Sequence, residues 1–432
     1  MLTEIKDVFD KINKDRFVIG YDMTRNYVQI SYCRIDSENP ETFSTVLGQE
    51  EYKIPFVLLK KNNSNQWLIG ADALKAYEEG EGDLIQNIFE SASKETNVRV
   101  GRDEYRACDL LALFLRKSLA LLSIMSTPDK VAEIVITLRE ANVSDIRTLQ
   151  KAVSMLKVNL EKVHYISYEE SFFFYMLNQG GELQKHHILL CDSIDGHLSI
   201  YRLERNRFVN PAVATVERFD YPDFRLGRED GLSAEEKDKI FLEIVTSHCE
   251  NTVFSGIYLI GENFYDDWCR ESLRYLCKGR RVFKGNNLFS KGACFAAKEK
   301  AVPTGYEKKI RFLGKDRLKA SIGVEVLKDG KKITIPLATA GDQWYEVNGH
   351  CELILRESNC VTFVIDFLSR RGTSLADFKL EGLPVRPNRV TRISLDLSMT
   401  SEKRVKFIIK DMGFGEIYPS TGKDWTDELE LE

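Results

Sequence analysis

The chain has 432 residues, of which 43% are hydrophobic and 10% aromatic, so it exceeds the usual ~100–200 residues of one domain and can fill two or three cores. Its 61 basic and 66 acidic residues leave a net charge of -5 that is mixed along the chain, which argues against a general nucleic-acid or membrane-surface role. No window reaches the ~18–20 apolar residues of a membrane span.

Residues 2–13 place apolar and charged side chains at helical spacing and are expected to form a short leading helix. Phe17 to Asp22, a turn over Met23-Thr24-Arg25-Asn26 and the run Tyr27 to Tyr32 then read as a β-hairpin. A strand near 54–59 and Trp67-Leu68-Ile69-Gly70 lead into a helix over 71–79, and residues 104–124 carry enough leucine for a long, largely buried helix. Strand and helix alternate onward: strand 131–138, helix 144–158, strand 163–166.

The opening pattern returns at Ile188 to Asp192, a polar turn over Ser193-Ile194-Asp195-Gly196-His197, and Leu198 to Leu203, which points to an internal repeat. A helix over 233–250, a strand at 256–261, a helix at 264–277, a strand at 281–284 and a helix at 287–298 complete this half. The charged, proline-broken connector 298–305 follows. From 306 onward the chain reads as strand after strand, at 321–327, 332–337, 349–356, 361–366, 375–380, 390–397 and 404–410, with an acidic tail of Asp424, Asp427, Glu428, Glu430 and Glu432. An all-β sandwich is expected there.

Nine cysteines without a CxxC pair form neither a disulfide nor a zinc framework, and the chain opens without a basic-then-apolar leader. A reducing, cytoplasmic setting is the expectation.

Two hairpins whose first strands end in Asp22 and Asp192 can face one another across a cleft. Turn amides there can cradle phosphate, and the two carboxylates can hold Mg²⁺ through its waters. The alternative is ordinary turn chemistry, since Asp before a turn bonds its own backbone.

The segment Phe17 to Tyr32 resembles the first phosphate hairpin of the actins and seventy-kilodalton heat-shock chaperones, and Ile188 to Leu203 resembles their second. Gly256 to Lys298, with Leu259-Ile260-Gly261-Glu262 and Lys291-Gly292-Ala293, is similar to their adenosine-binding segment. Ser321-Ile322-Gly323-Val324 and Phe378 to Pro384 resemble the chaperone substrate-binding sandwich. The resemblance implies an α/β, two-lobed actin-like ATPase fold of duplicated ribonuclease-H-like halves over 1–300, with lobe I about 14–180 and lobe II about 185–298. An all-β sandwich over 306–432 and no helical lid would follow it.

By the same resemblance, Asp22, Thr24, Arg25, Asp195, Gly196, Gly261 and Glu262 would bind ATP or ADP, and Asp22 and Asp192 would hold Mg²⁺ through water. Asp192 with Glu169 or Glu170 would be catalytic, although matching the following aromatic run to the family helix puts Ser167 at the water-orienting position. Arg25 replaces a small residue of the family's tip, and only Asp192, Asp195 and Gly196 remain of its second, glycine-rich turn. These departures favour a chaperone-like protein with weak or absent ATPase activity that binds a protein or peptide through its β-sandwich, Trp344 and Tyr345 being candidate contacts if not core. An active ATP-dependent chaperone and a scaffold subunit of a larger assembly are the alternatives.

Overall fold

The computed structural model describes residues 16–46, 48–122, 130–156, 158–193, 196–226, 231–314, 317–356, 359–368 and 372–431. The leading helix expected over 2–13 lies outside the described residues. The chain forms two compact units, one of residues up to 205 with 216–305, and a second of 206–215 with the residues from 306 on.

The first unit is mixed α/β, and two large sheets organise it, beside a small three-stranded and a two-stranded sheet. The first contains β1 (Phe17–Met23), β2 (Tyr27–Arg34), β3 (Glu41–Thr42), β4 (Val131–Leu138) and β5 (Val163–Ser167), in the order β5-β4-β1-β2-β3. The second contains β6 (His187–Asp192), β7 (His197–Asn206), β8 (Ala212–Arg225, whose residues 212–215 belong to the second unit), β9 (Phe254–Ile260) and β10 (Arg281–Gly285), in the order β10-β9-β6-β7-β8, and β11 (Ile310–Phe312) of the second unit pairs with the start of β8. Directions match as well. β1 is antiparallel to β2 and parallel to β4, just as β6 is antiparallel to β7 and parallel to β9.

Eight α-helices are described: α1 (Gly70–Glu78), α2 (Ile88–Ser93), α3 (Ala107–Leu119), α4 (Val143–Ser154), α5 (Tyr168–Leu177), α6 (Ala234–Cys249), α7 (Arg270–Leu276) and α8 (Leu288–Ala301). Setting aside the insertion between β3 and α3, each half therefore runs three strands, helix, strand, helix, strand, helix.

The last helix of each half is buried around most of its circumference. α5 hides Tyr168, Phe172, Phe173, Phe174 and Met176, and α8 hides Leu288, Phe289, Cys294 and Phe295. Two glycines let these elements meet. A Cβ on Gly20 of β1 would stand 2.2 Å from the Cys294 amide nitrogen, and one on Gly292 of α8 would stand 2.1 Å from the Ser171 carbonyl of α5. No side chain fits at either contact.

Several expected boundaries move for identifiable reasons. The helix expected over 104–124 starts at Ala107 because Asp103–Arg106 pairs as a strand with Asn97–Val100. The helix expected over 264–277 becomes a 3₁₀ turn, Glu262–Phe264, and then α7. Asp238 of α6 accepts the Glu271 and Ser272 amides at 2.7 and 3.0 Å and so caps α7 from a neighbouring helix.

The second unit holds two four-stranded antiparallel sheets. One contains β12 (Ala320–Lys328), β13 (Lys331–Ala338), β15 (Cys360–Phe367) and β16 (Thr373–Lys379), ordered β13-β12-β15-β16. The other contains β14 (Asn348–Leu355), β17 (Thr391–Ser401), β18 (Arg404–Gly413) and β19 (Asp424–Glu430), ordered β14-β17-β18-β19. Ile322, Val324, Phe363 and Ile365 from the first share one core with Ile393, Leu395, Phe407 and Ile409 from the second. This is a sandwich.

The acidic stretch read as a tail is the strand β19. Its carboxylates lie opposite cations of β18, as Asp424 with Lys410, Glu428 with Lys406 and Glu430 with Arg404. Trp344 and Tyr345 occupy a half-buried 3₁₀ turn, with Trp344 packed against the core. Among the described residues, no helix is long and apolar enough to cross a membrane.

Candidate functional site

In open α/β sheets, residues at the carboxyl ends of parallel strands gather at a crevice. Here those ends carry Asp22 (β1), Arg139 and Glu140 (after β4), Ser167 to Glu170 (β5 into α5), Asp192 and Ser193 (β6), and Gly261 and Glu262 (after β9). Polar contacts join the two halves of the first unit around them. Arg139 donates to Ser199 and stands 3.5 Å from Asp220. Arg218 pairs with Glu140, with Asp220 at 3.0 Å and with Glu169 at 3.5 Å, and its Nη1 also donates to the Arg139 carbonyl at 3.2 Å. At the rim, Gln29 donates to the Asn286 carbonyl at 2.9 Å, and Lys53 pairs with Glu262 at 2.9 Å.

Asp22 and Asp192 are both buried, and the charges of both act on the Tyr168 phenol. The Tyr168 hydroxyl donates to Asp22 Oδ1 at 2.6 Å. Burial first, and then the negative charge of Asp22, raises the Tyr168 phenol well above its ordinary range, so it stays a donor at neutral pH. The Tyr168 ring stacks on Phe289 with centroids 3.8 Å apart, and Tyr201 meets Phe289 edge-on at 5.8 Å. All three rings are buried. The Tyr201 phenol is likewise raised, by burial and then by Asp192.

Other site candidates are committed to their own local structure. The Thr24 hydroxyl donates to the Tyr27 carbonyl at 2.8 Å and accepts the Asn26 and Tyr27 amides, which makes it a turn former. Arg25 is exposed at the tip, where its charge acts on Glu90 and Asp145. The amides of Thr24, Ser193, Gly196 and Gly261 donate to the carbonyls of Tyr27, Ile260, Ser193 and Gly285 at 2.9–3.2 Å. Asp195 lies outside the described residues.

At the start of α5, Ser167 is the N-cap, and its Oγ accepts the Glu170 amide at 3.2 Å. Glu169 faces the cleft cation Arg218. Burial raises its carboxyl while Arg218 opposes the rise. Glu170 is buried in α5. Among the described residues, no three His, Cys, Asp or Glu side chains converge as a metal site.

The residues that fill the cleft, Arg139, Arg218, Asp220, Tyr168, Tyr201 and Phe289, are not found by matching hairpins. A partial signal existed: Arg139 and Glu140 follow a strand directly, and Arg218 and Asp220 are two apart on a strand and so share a face.

The comparison with curated proteins gave no match. Residues 317–431, which cover the sandwich, match a domain of unknown function, DUF8552. Residues 39–315, nearly two-thirds of the sequence and most of both halves that form the cleft, match the C-terminal part of the family of unknown function DUF5716, and the chain belongs to that family.

Proposed function

We propose that the first unit is a divergent actin- and heat-shock-type ATPase fold whose nucleotide cleft has become a structural joint, and that the protein works by holding a protein partner through its sandwich. The repeated strand order and strand–helix sequence of the two halves support duplicated ribonuclease-H-like lobes.

The observation that carries the reading is the content of the cleft. Triphosphate and magnesium need free amides, uncompensated cations and carboxylates open to metal-bound water. The amides noted above are used, and Arg139 and Arg218 are paired with Asp220, Glu140 and Glu169. Asp22 accepts from a buried tyrosine. The residues present do not fit magnesium nucleotide.

Thermal unfolding of the full chain with Mg-ATP, Mg-ADP and metal-free nucleotide tests this. A ligand at ~100 times its dissociation constant adds about 2.7 kcal/mol, which would raise the midpoint by roughly 2–4 °C. No shift is expected at millimolar nucleotide. A magnesium-dependent rise that Asp192→Ala abolishes would overturn the reading in favour of an active ATP-dependent chaperone.

A further inference from the structure

Four edge strands bound the sandwich, and three of them are guarded against pairing with another chain. β13 begins Lys331-Lys332 and contains Pro336, which has no N–H to offer. β14 runs against β13, where a Cβ on Gly349 would stand 2.5 Å from the Leu337 carbonyl. β19 is strongly acidic, and its exposed Asp427 shares the inward parity of buried Trp425 and half-buried Leu429, an inward-pointing charge that opposes strand addition.

β16 has no such guard. Its sequence Thr373-Ser374-Leu375-Ala376-Asp377-Phe378-Lys379 contains no proline, its single Asp and Lys cancel, and its register with β15 is unbroken from Cys360↔Lys379 to Asp366↔Thr373. Among the described residues, no strand pairs with its outer edge. An apolar row crosses the outer face of the sheet toward that edge: Pro336 lies beside Gly323, Gly323 beside Val364, and Val364 beside Leu375. Leu375 ends the row and is 63% exposed.

Because β13 and β14 abut, the strand order puts β16 and acidic β19 together on the other side of the sandwich. Phe378 of β16 meets Phe407 at 4.8 Å, and Phe407 lies opposite Asp427. A strand added to β16 would thus continue the apolar row on one face and look toward Asp427 on the other.

We propose that the outer edge of β16 takes up an extended segment of a partner protein as an added strand, and that this segment alternates apolar residues with lysine or arginine. Backbone hydrogen bonds supply the affinity, while Leu375 and Asp427 select side chains by alternation. The inference rests on the partner-binding half of the reading above and is independent of the nucleotide half.

The test is hydrogen exchange of the full chain with an acetylated seven-residue peptide alternating lysine and valine, together with the anisotropy of its fluorescein-labelled form. A glutamate–valine peptide is the control. Slower exchange at 373–379 is expected. Leu375→Lys, Asp427→Lys and the glutamate peptide should each weaken binding by about fivefold or more. Both substituted side chains are exposed, and matching thermal midpoints would show the variants folded.

Undiminished binding to folded Leu375→Lys would overturn the proposal, as would a wild-type dimer in sedimentation that itself protects 373–379. Slowing at 348–355 or 424–430 instead would sink this edge and leave a partner-binding sandwich standing. No slowing anywhere in 320–431 would sink both.

Discussion

The arginine–carboxylate network in the cleft of the first unit and the Arg386–Asp411 pair in the sandwich of the second behave oppositely. In the sandwich, Arg386 grips Asp411 with two hydrogen bonds of 2.8 Å, the side chains being 5% and 0% exposed. Asp411 also accepts the Gly413 and Thr421 amides and the Thr421 hydroxyl at 2.9–3.0 Å. In the cleft, Arg218 is 11% exposed, but its partners Glu140 and Asp220 stand at 61% and 47%. Burial with complete hydrogen bonding makes a keystone, whereas the same residue types half in water contribute less.

The carboxyl groups record the contrast. The Arg386 hydrogen bonds and then the backbone amides outweigh burial and hold Asp411 far below the usual carboxylate range. In the cleft, burial outweighs Arg218 and lifts Glu169.

The largest effect should therefore come from Asp411→Ala, which strands a buried guanidinium and should cost the second unit about 3–5 kcal/mol in denaturant unfolding. A loss below ~1 kcal/mol would erase the distinction between the two networks. The depressed Asp411 contributes stability that is fully present above the unfolded carboxyl range near ~4 and is lost as pH falls through the lower folded value. Wild type should lose stability in acid over that window, and Asp411→Asn should lose less.

Gly292→Ala comes next, at ~1–3 kcal/mol, since the new methyl would collide with the Ser171 carbonyl where α8 meets α5. If it proves neutral, the first unit is held by its charge network more than by helix contact.

The smallest effect is expected for Arg218→Met, ~1–2 kcal/mol at neutral pH, because two of its partners keep much of their hydration. Its signature is the sign of the pH dependence. Glu169 has a folded value above its unfolded one, so its ionisation removes stability as pH rises through that range, and losing Arg218 should enlarge the removal. Stability curves between about pH 4 and 8 would show it, and an unchanged slope would mean that Arg218 does not govern Glu169.

Much of the strand and helix sequence could be read locally. The repeat was visible because an apolar strand, a polar turn and a returning strand recur at Phe17 to Tyr32 and at Ile188 to Leu203. β19 was missed because its alternation of carboxylates with Trp425 and Leu429 makes sense only beside Arg404, Lys406 and Lys410 of a neighbouring strand. The late start of α7 was hidden for the same reason, since its cap Asp238 arrives from another helix.

At the site, the sequence by itself placed Asp22 and Asp192 at or beside the ends of their strands, since hydrophobic alternation and turn chemistry act over a few residues. What surrounds them was decided only in three dimensions. Tyr168 reaches Asp22 across 146 positions, and Arg218 reaches Glu140 across 78. Such partners carry no local periodicity, because what selects them is the low-dielectric space that appears only once two sheets and two helices have closed around it.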